Sequence, residues 1–392
     1  MSPAVSISRM QTDTATYSAR RDWLAAALRG DRPDWPASQI GAARDLLAVA
    51  EYEGVCALLG EIIRSSGVSP SWPSEFNAGL TAVAHQQLAI ELLGRSDLIQ
   101  VVQALAEAGI PMLVLKGTAL AYSVYPAAHL RPRWDTDLLL PDTDAIERAK
   151  PVLAAVGYTA SNVPTTTAMA YELSFHRDTP GGNTHWIDAH WALANNALYA
   201  DCFEFDELHA EAIALPALGD HARGLGSVHA LLHACVHRVG NLPVGEGNRL
   251  IWLYDMDLLA RRFSARDFDR LRNLSVQRGL AGASWDGLRN AVSTFATPLP
   301  DGLLDALKRA ANQEHFDVRK AGRRWYQEWH NLRALPVAKR RSWAWEKLFP
   351  NPAYMRELYP VGNRWSLGCA YAQRLGHGLW LTLRGIGRRS SG

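Results

Sequence analysis

The hydrophobic pattern changes period twice along the chain. Over residues 21–109 apolar positions recur at helical spacing, interrupted at Gly30-Asp31-Arg32-Pro33, at Ser65-Ser66-Gly67 and between Pro70 and Pro73. The pattern predicts a helix starting at Trp23, a second over residues 42–63, and one long or two shorter helices over 78–108, stopped by Gly109. Past that point the apolar runs shorten to strand length. Residues 111–115 and 133–140 read as buried strands, with a helix over 118–125 between them. Asp142-Thr143-Asp144 caps a further helix over 145–156 that Gly157 closes, and Pro151 is expected to kink or shorten it. Residues 171–177 and 185–193 alternate on either side of a turn-rich 178–184, which predicts a β-hairpin.

From about Leu198 the helical period returns. Helices are expected over 227–239, 248–263, 265–278, 281–295 and 302–318. A basic, Trp-rich helical stretch follows at 323–345, then a break at 348–352, a short helical piece at 355–359 and a last run near 366–383. This order predicts an α+β protein: a small mixed sheet with its helices, embedded in a largely α-helical chain. The expected division is a loose leader at 1–20, a helical region at 21–109, a core at 110–195, a second helical region at 196–383 and a basic tail at 384–392.

Composition narrows the setting. The net charge is +2 and the charged fraction 20%, so nothing in the bulk numbers demands a nucleic-acid or membrane partner. The four cysteines show no C-x-x-C spacing, which suits free thiols in a reducing compartment. The first twenty residues lack the charged-then-apolar order of a signal peptide, and no apolar run reaches membrane-spanning length. The expectation is a soluble, cytoplasmic protein.

Candidate chemistry concentrates in residues 114–140. Asp135 and Asp137 stand two apart on a strand and therefore share a face. Carboxylates that close repel each other unless a cation lies between them, and an all-oxygen pair suits Mg2+. Lys116-Gly117-Thr118 sits at a strand-to-helix junction, where backbone N–H groups and a helix N-terminus favour an anion. Asp188 lies on the second hairpin strand, sharing a face with Trp186 and His190. Arg131 and Arg133, just before the acidic strand, are placed to contact phosphates or to balance the carboxylates.

These residues together resemble the nucleotidyltransferase superfamily related to DNA polymerase β. Within it, Leu115-Lys116-Gly117, Asp135-Thr-Asp-Leu-Leu139 and Ile187-Asp-Ala-His-Trp191 resemble a bacterial nucleotidyltransferase family with L-K-G, D-x-D-L-L and I-D-x-H-W motifs. Leu231-Leu-His-Ala-Cys-Val-His237, Leu250-Ile-Trp-Leu-Tyr-Asp255 and Leu348-Phe349-Pro350 extend the likeness to roughly residues 40–375. Much of the superfamily has two small residues where this chain has lysine before a single Gly-Thr.

The resemblance implies a polymerase β-like core and a metal-dependent transferase using an NTP such as ATP. Asp135, Asp137 and Asp188 would be the catalytic and metal-holding residues, for one or two Mg2+ ions with Mn2+ as a substitute. Lys116, Gly117, Thr118 and Arg133 would bind nucleotide. Asp188 would complete the metal site or act as general base. A nucleoside monophosphate would pass to a hydroxyl or similar group on a small molecule, peptide or protein, with release of pyrophosphate. The near-neutral charge makes nucleic acid a weaker acceptor candidate, and no membrane partner is implied. Phosphoryl transfer on the same fold, and a non-catalytic or toxin–antitoxin-like nucleotide-binding module, are the competing readings.

Two further features stay open at this level. His229, His233 and His237 recur every four residues along one flank of a helix, on the polar side of its apolar face. They suit a zinc site, contact of His233 and His237 with nucleotide phosphates across a cleft, or packing with Asp255 as a hydrogen-bond partner. The helix lacks H-E-x-x-H, so zinc is the weakest of the three. The Arg/Trp mixture at 323–347 suits either nucleic-acid stacking or helical packing, with packing favoured.

Overall fold

The structure, a computed structural model, describes residues 14–35, 42–66, 71–161, 171–179, 182, 184–350 and parts of 352–376. The helix before the expected break ends at Leu348, with Phe349 and Pro350 outside it, and residues 367–374 and 376 of the last expected run are helical; the rest of that run and the basic tail lie outside the described residues.

The chain opens on α1 (Thr14–Arg29), which begins earlier than the apolar pattern suggested and buries Trp23 and Leu24. The single helix expected over 42–63 is two, α2 (Ala43–Glu53) and α3 (Cys56–Ser66). Gly54 divides them: it takes the left-handed conformation at φ 75°, and Val55 N–H returns to the Ala50 carbonyl. A side chain there would also meet Ile251. α4 (Ser74–Glu107) is one continuous helix of 34 residues.

The strands and helices of the centre follow: β1 (Leu113–Val114), α5 (Lys116–Ser123), β2 (Asp135–Leu139), α6 (Thr143–Ala155), β3 (Thr159–Ala160), β4 (Glu172–Asp178) and β5 (Thr184–His190). Asp142 caps α6 as expected, its side chain accepting from Ala145 N–H, and Pro151 is carried inside that helix. After α7 (Phe205–Ala210), two short strands that the pattern did not reveal, β6 (Ile213–Ala214) and β7 (Arg223–Gly224), complete the sheet.

The seven described strands run in the order β3-β4-β5-β2-β1-β7-β6. β2 pairs in parallel with β5 and antiparallel with β1, and β4–β5 is the expected antiparallel hairpin. The sheet is therefore mixed and the protein is α+β. Alternation along β2, β5 and β4 sorts the side chains. Leu138, Leu140, Ile187, Ala189 and Phe175 bury one face against Leu98, Val101 and Leu105 of α4 and Ile146, Ala149 and Leu153 of α6. The opposite face carries Asp135, Asp137, Asp188 and His190.

The chain continues with the helices α8 (Ser227–Asn241), α9 (Leu250–Ala260), α10 (Ala265–Gln277), α11 (Ala281–Phe295) and α12 (Leu303–Ala311), then α13 (Arg324–Ala334) and α14 (Val337–Leu348). Leu113 and Leu139 of the sheet share one hydrophobic core with Leu24, Leu46 and Phe76 from the N-terminal helices and with Leu231, Leu253 and Leu288 from the C-terminal ones. Helices from both ends of the chain thus pack together behind the site. Among the described residues no helix is long and apolar enough to cross a membrane.

Candidate active site

The parallel register of β2 and β5 places Asp135 beside Trp186 and Asp137 beside Asp188. Paired residues in neighbouring strands point the same way, so the three aspartates stand on one face, as the sequence suggests. β4 adds a third row that the sequence reading passed over: Ser174 pairs with Asp188, Glu172 with His190 and His176 with Trp186. The signal was present in the alternation of Glu172, Ser174 and His176 with the apolar Leu173 and Phe175.

Asp137 is the most constrained of the three. Lys116 Nζ donates to its Oδ1 at 2.5 Å, and His190 Nε2 donates to the same oxygen at 2.8 Å. On its other side His190 Nδ1 faces Asn195 Oδ1 at 3.0 Å and Glu172 Oε2 at 3.4 Å. Burial would raise the Asp137 carboxyl, but the Lys116 charge and the two hydrogen bonds outweigh it and hold the group ionised, well below the usual carboxylate range. For Lys116 burial works against the charge, and Asp137 more than restores it, so its pKa ends above the ordinary value.

Among the described residues Asp135 has no side-chain hydrogen-bond partner. It stands at the exposed start of β2; partial desolvation by the protein around it, then the Asp137 charge, push the carboxyl up to about 6. Asp188 is also raised, by burial first and by Glu172 and Asp137 after it, although Ser174 Oγ donates to its Oδ1 at 2.6 Å and opposes the shift. The site is thus one firmly ionised carboxylate flanked by two that resist ionisation. Among the described residues no group of three or more His, Cys, Asp or Glu is gathered as a ready-made metal cage. The donor set still fits Mg2+, which takes one or two carboxylates and completes its shell with water and phosphate. Asp135 makes no side-chain hydrogen bond among the described residues, and the charge it shares with Asp137 is what a cation would neutralise.

The glycine turn carries its strain on the lysine. Lys116, not Gly117, adopts the left-handed backbone, at φ 49°. A lysine there is strained, and the Asp137 ion pair holds it. Gly117 is required for space: an added Cβ would lie 3.0 Å from the Arg131 guanidinium. Thr118 Oγ1 is buried with no hydrogen-bond partner, at the start of α5.

Arg131 is buried and forms a bidentate pair with Asp255 of α9, at 2.8 Å from Nε and 2.7 Å from Nη2, and the Tyr125 hydroxyl donates to the same carboxylate. Asp255 is therefore committed to Arg131 and Tyr125 and is not the histidine partner the sequence suggested. The pair ties the loop before β2 to the helical wall. Arg133 makes an ion pair with Glu91 of α4 at 2.6 Å and overlies the Tyr122 ring.

The histidine stripe is not on a polar flank. α8 is packed on several sides by α9, α10, α11 and α5, so His229 and His233 are fully buried. Burial, then the Lys116 charge, draws the His233 pKa down to about 3 and moves His237 the same way, so both are neutral near pH 7. A cleft separates α5 from α8 and α9, with Lys116 and Gly117 on one wall and His233, His237 and Trp252 on the other. Asp135, Asp137 and Asp188 are not in its lining, and Lys116 links the two sites. His229 lies away from both; its ring nitrogens are buried without hydrogen-bond partners, its ring edge-on to Phe203.

Comparison with known proteins agrees with the geometry. No curated protein matches the chain. The model of a family described as uncharacterised nucleotidyltransferase matches residues 42–296, well over half of the sequence. The matched span holds the Lys116 turn, all three aspartates and the helices α8 and α9 that close the cleft. The chain belongs to this nucleotidyltransferase family and is a transferase enzyme.

Proposed function

We propose that the carboxylate face carries a Mg2+-dependent transfer of a nucleoside monophosphate from an NTP to a hydroxyl of a small molecule, peptide or protein. The core is read as polymerase β-like. The observation that supports this most is the juxtaposition of Asp135, Asp137 and Asp188 on two parallel strands, next to a strained, anion-facing Lys116 turn.

Asp135 and Asp137 would hold Mg2+, which when bound neutralises the phosphate oxygens at the reacting centre. The chain's own residues do the rest. Lys116 and the α5 N-terminus receive the outer phosphates, with neutral His233 and His237 facing them across the cleft; the Thr118 hydroxyl is buried and does not line it. His190 and Lys116 fix the Asp137 carboxylate so that one oxygen stays available. Asp188 accepts the proton of the acceptor hydroxyl; its raised pKa makes it a better base than an ordinary carboxylate. The acceptor oxygen forms its bond to the α-phosphorus as the bond from that phosphorus to the β-phosphate bridging oxygen breaks, and pyrophosphate leaves. Arg133 is held by Glu91, which offsets its charge, so it would contact a phosphate only by exchanging that partner.

The test is product mass. The protein is incubated with Mg2+, each NTP in turn and a panel of hydroxyl acceptors. A nucleoside monophosphate increment that disappears in Asp135→Asn supports the reading. A phosphate increment would replace it with phosphoryl transfer, and no increment with any NTP would remove catalysis from this face.

A further inference from the structure

Beyond the aspartates, the carboxylate face continues into an aromatic shelf. Trp186 pairs with Asp135 in the β2–β5 register and with His176 in the β4–β5 register, so all three side chains share the face. Trp186 is 39% exposed, although it is a large apolar side chain in the interior of a sheet. Its indole lies over the His176 imidazole, with ring centroids 5.0 Å apart and planes inclined by 33°. His176 Nδ1 is buried without a hydrogen-bond partner, so nothing at that nitrogen competes with the stack for the ring's position. Asp188 is the next residue along this face of β5.

The position of the shelf decides which reactant it serves. Lys116 and α5 adjoin β1, on one side of the Asp135–Asp137 strand. Trp186 and His176 lie on β5 and β4, on the other side, with Asp188. In an in-line displacement the leaving group departs opposite the attacking group. If the outer phosphates sit over Lys116, the attacking hydroxyl comes from the side of Asp188, where its carrier meets Trp186. An exposed indole with a tilted imidazole packed beside it is a polarisable surface that favours another ring.

We propose that Trp186, backed by His176, is the specificity surface for the acceptor, and that the acceptor carries its hydroxyl on or beside a flat aromatic ring. This rests on the nucleotidyl-transfer reading for its orientation, but its test can be run apart from turnover. Tyrosinamide, with serinamide as the ring-free control, is titrated into the full-length protein by saturation-transfer NMR. Mg2+ with a non-hydrolysable NTP analogue is titrated separately by calorimetry. Wild type, Trp186→Leu and Trp186→Phe are compared, with thermal unfolding as the check on folding.

The expected result is that wild type binds tyrosinamide in preference to serinamide. Trp186→Leu should weaken tyrosinamide roughly five- to tenfold, Trp186→Phe should restore most of that, and nucleotide affinity should stay within about twofold in both. Equal binding of the two probes by wild type, or no loss in Trp186→Leu, would overturn the proposal. Loss of nucleotide affinity in Trp186→Leu would overturn it in favour of a nucleobase on the shelf. Failure of wild type to bind nucleotide at all is a different result: it removes the transfer reading, and with it the assignment of the shelf to an acceptor.

Discussion

Lys116 and Asp137 form a 2.5 Å ion pair across the junction between a strained backbone turn and the acidic strand. Asp137 is 5% exposed at its side chain and Lys116 22%. The pair makes Asp137 a structural residue as well as a catalytic candidate, whereas Asp135 carries no such bond.

The two aspartates are therefore expected to separate on mutation. Asp135→Asn should abolish transfer and leave the unfolding temperature unchanged or raised, because it removes repulsion from Asp137. Asp137→Asn should also abolish transfer but destabilise the fold by roughly 3 kcal/mol, since it leaves Lys116 half-buried without its counter-charge. Activity and urea unfolding measured on both variants check this; equal stability loss in the two would contradict it.

Asp135 also sets a pH dependence. Its carboxyl titrates near 3.9 in the unfolded chain and at about 6 in the fold. Below both values it is neutral in both states and has no effect. As pH rises from 4 to 6 the unfolded chain gives up this proton first, so folding stability falls, and the deficit persists above pH 6. A divalent cation reverses the deficit only where the carboxylate is ionised. Mg2+ should raise the unfolding temperature at pH 7.5, and much less at pH 5; this difference should vanish in Asp135→Asn. A shift of the same size at both pH values would refute the assignment.

The Arg131–Asp255 pair predicts a purely structural effect that reaches the turn. Asp255→Ala should cost about 3–5 kcal/mol, because it strands a buried guanidinium. Gly117→Ala crowds the same guanidinium at 3.0 Å and should cost about 1–3 kcal/mol. Since both act through Arg131, the double variant should lose less than the sum. Strict additivity in chemical denaturation would show that the two contacts are independent.

Much of this was legible in the sequence because it rests on short-range patterns. The D-x-D strand, the hairpin and the capped α6 follow from alternation and turn chemistry within a few residues. The two-residue strands β3, β6 and β7 have no period to read; they form because a neighbouring strand offers hydrogen bonds. Gly54 dividing α2 from α3 was hidden because the flanking composition is helical on both sides. The partners of Arg131 and Arg133, on α9 and α4, lie far away in sequence, and charge pairing over such distances leaves no local trace. The glycine turn was recognisable as special at a strand-to-helix junction, but the strain at Lys116 and the room that Gly117 leaves for Arg131 depend on distant contacts and could not be read there.

The face shared by β2 and β5 is proposed to break the bond between the α- and β-phosphates. Pyrophosphate release tests it most directly, followed with each NTP and a hydroxyl acceptor panel in wild type, Asp135→Asn and Asp188→Asn. Mg2+-dependent pyrophosphate is expected from wild type, stopped by EDTA and reduced by at least about a hundredfold in either variant. Orthophosphate in place of pyrophosphate, or pyrophosphate release undiminished in Asp135→Asn, would contradict it.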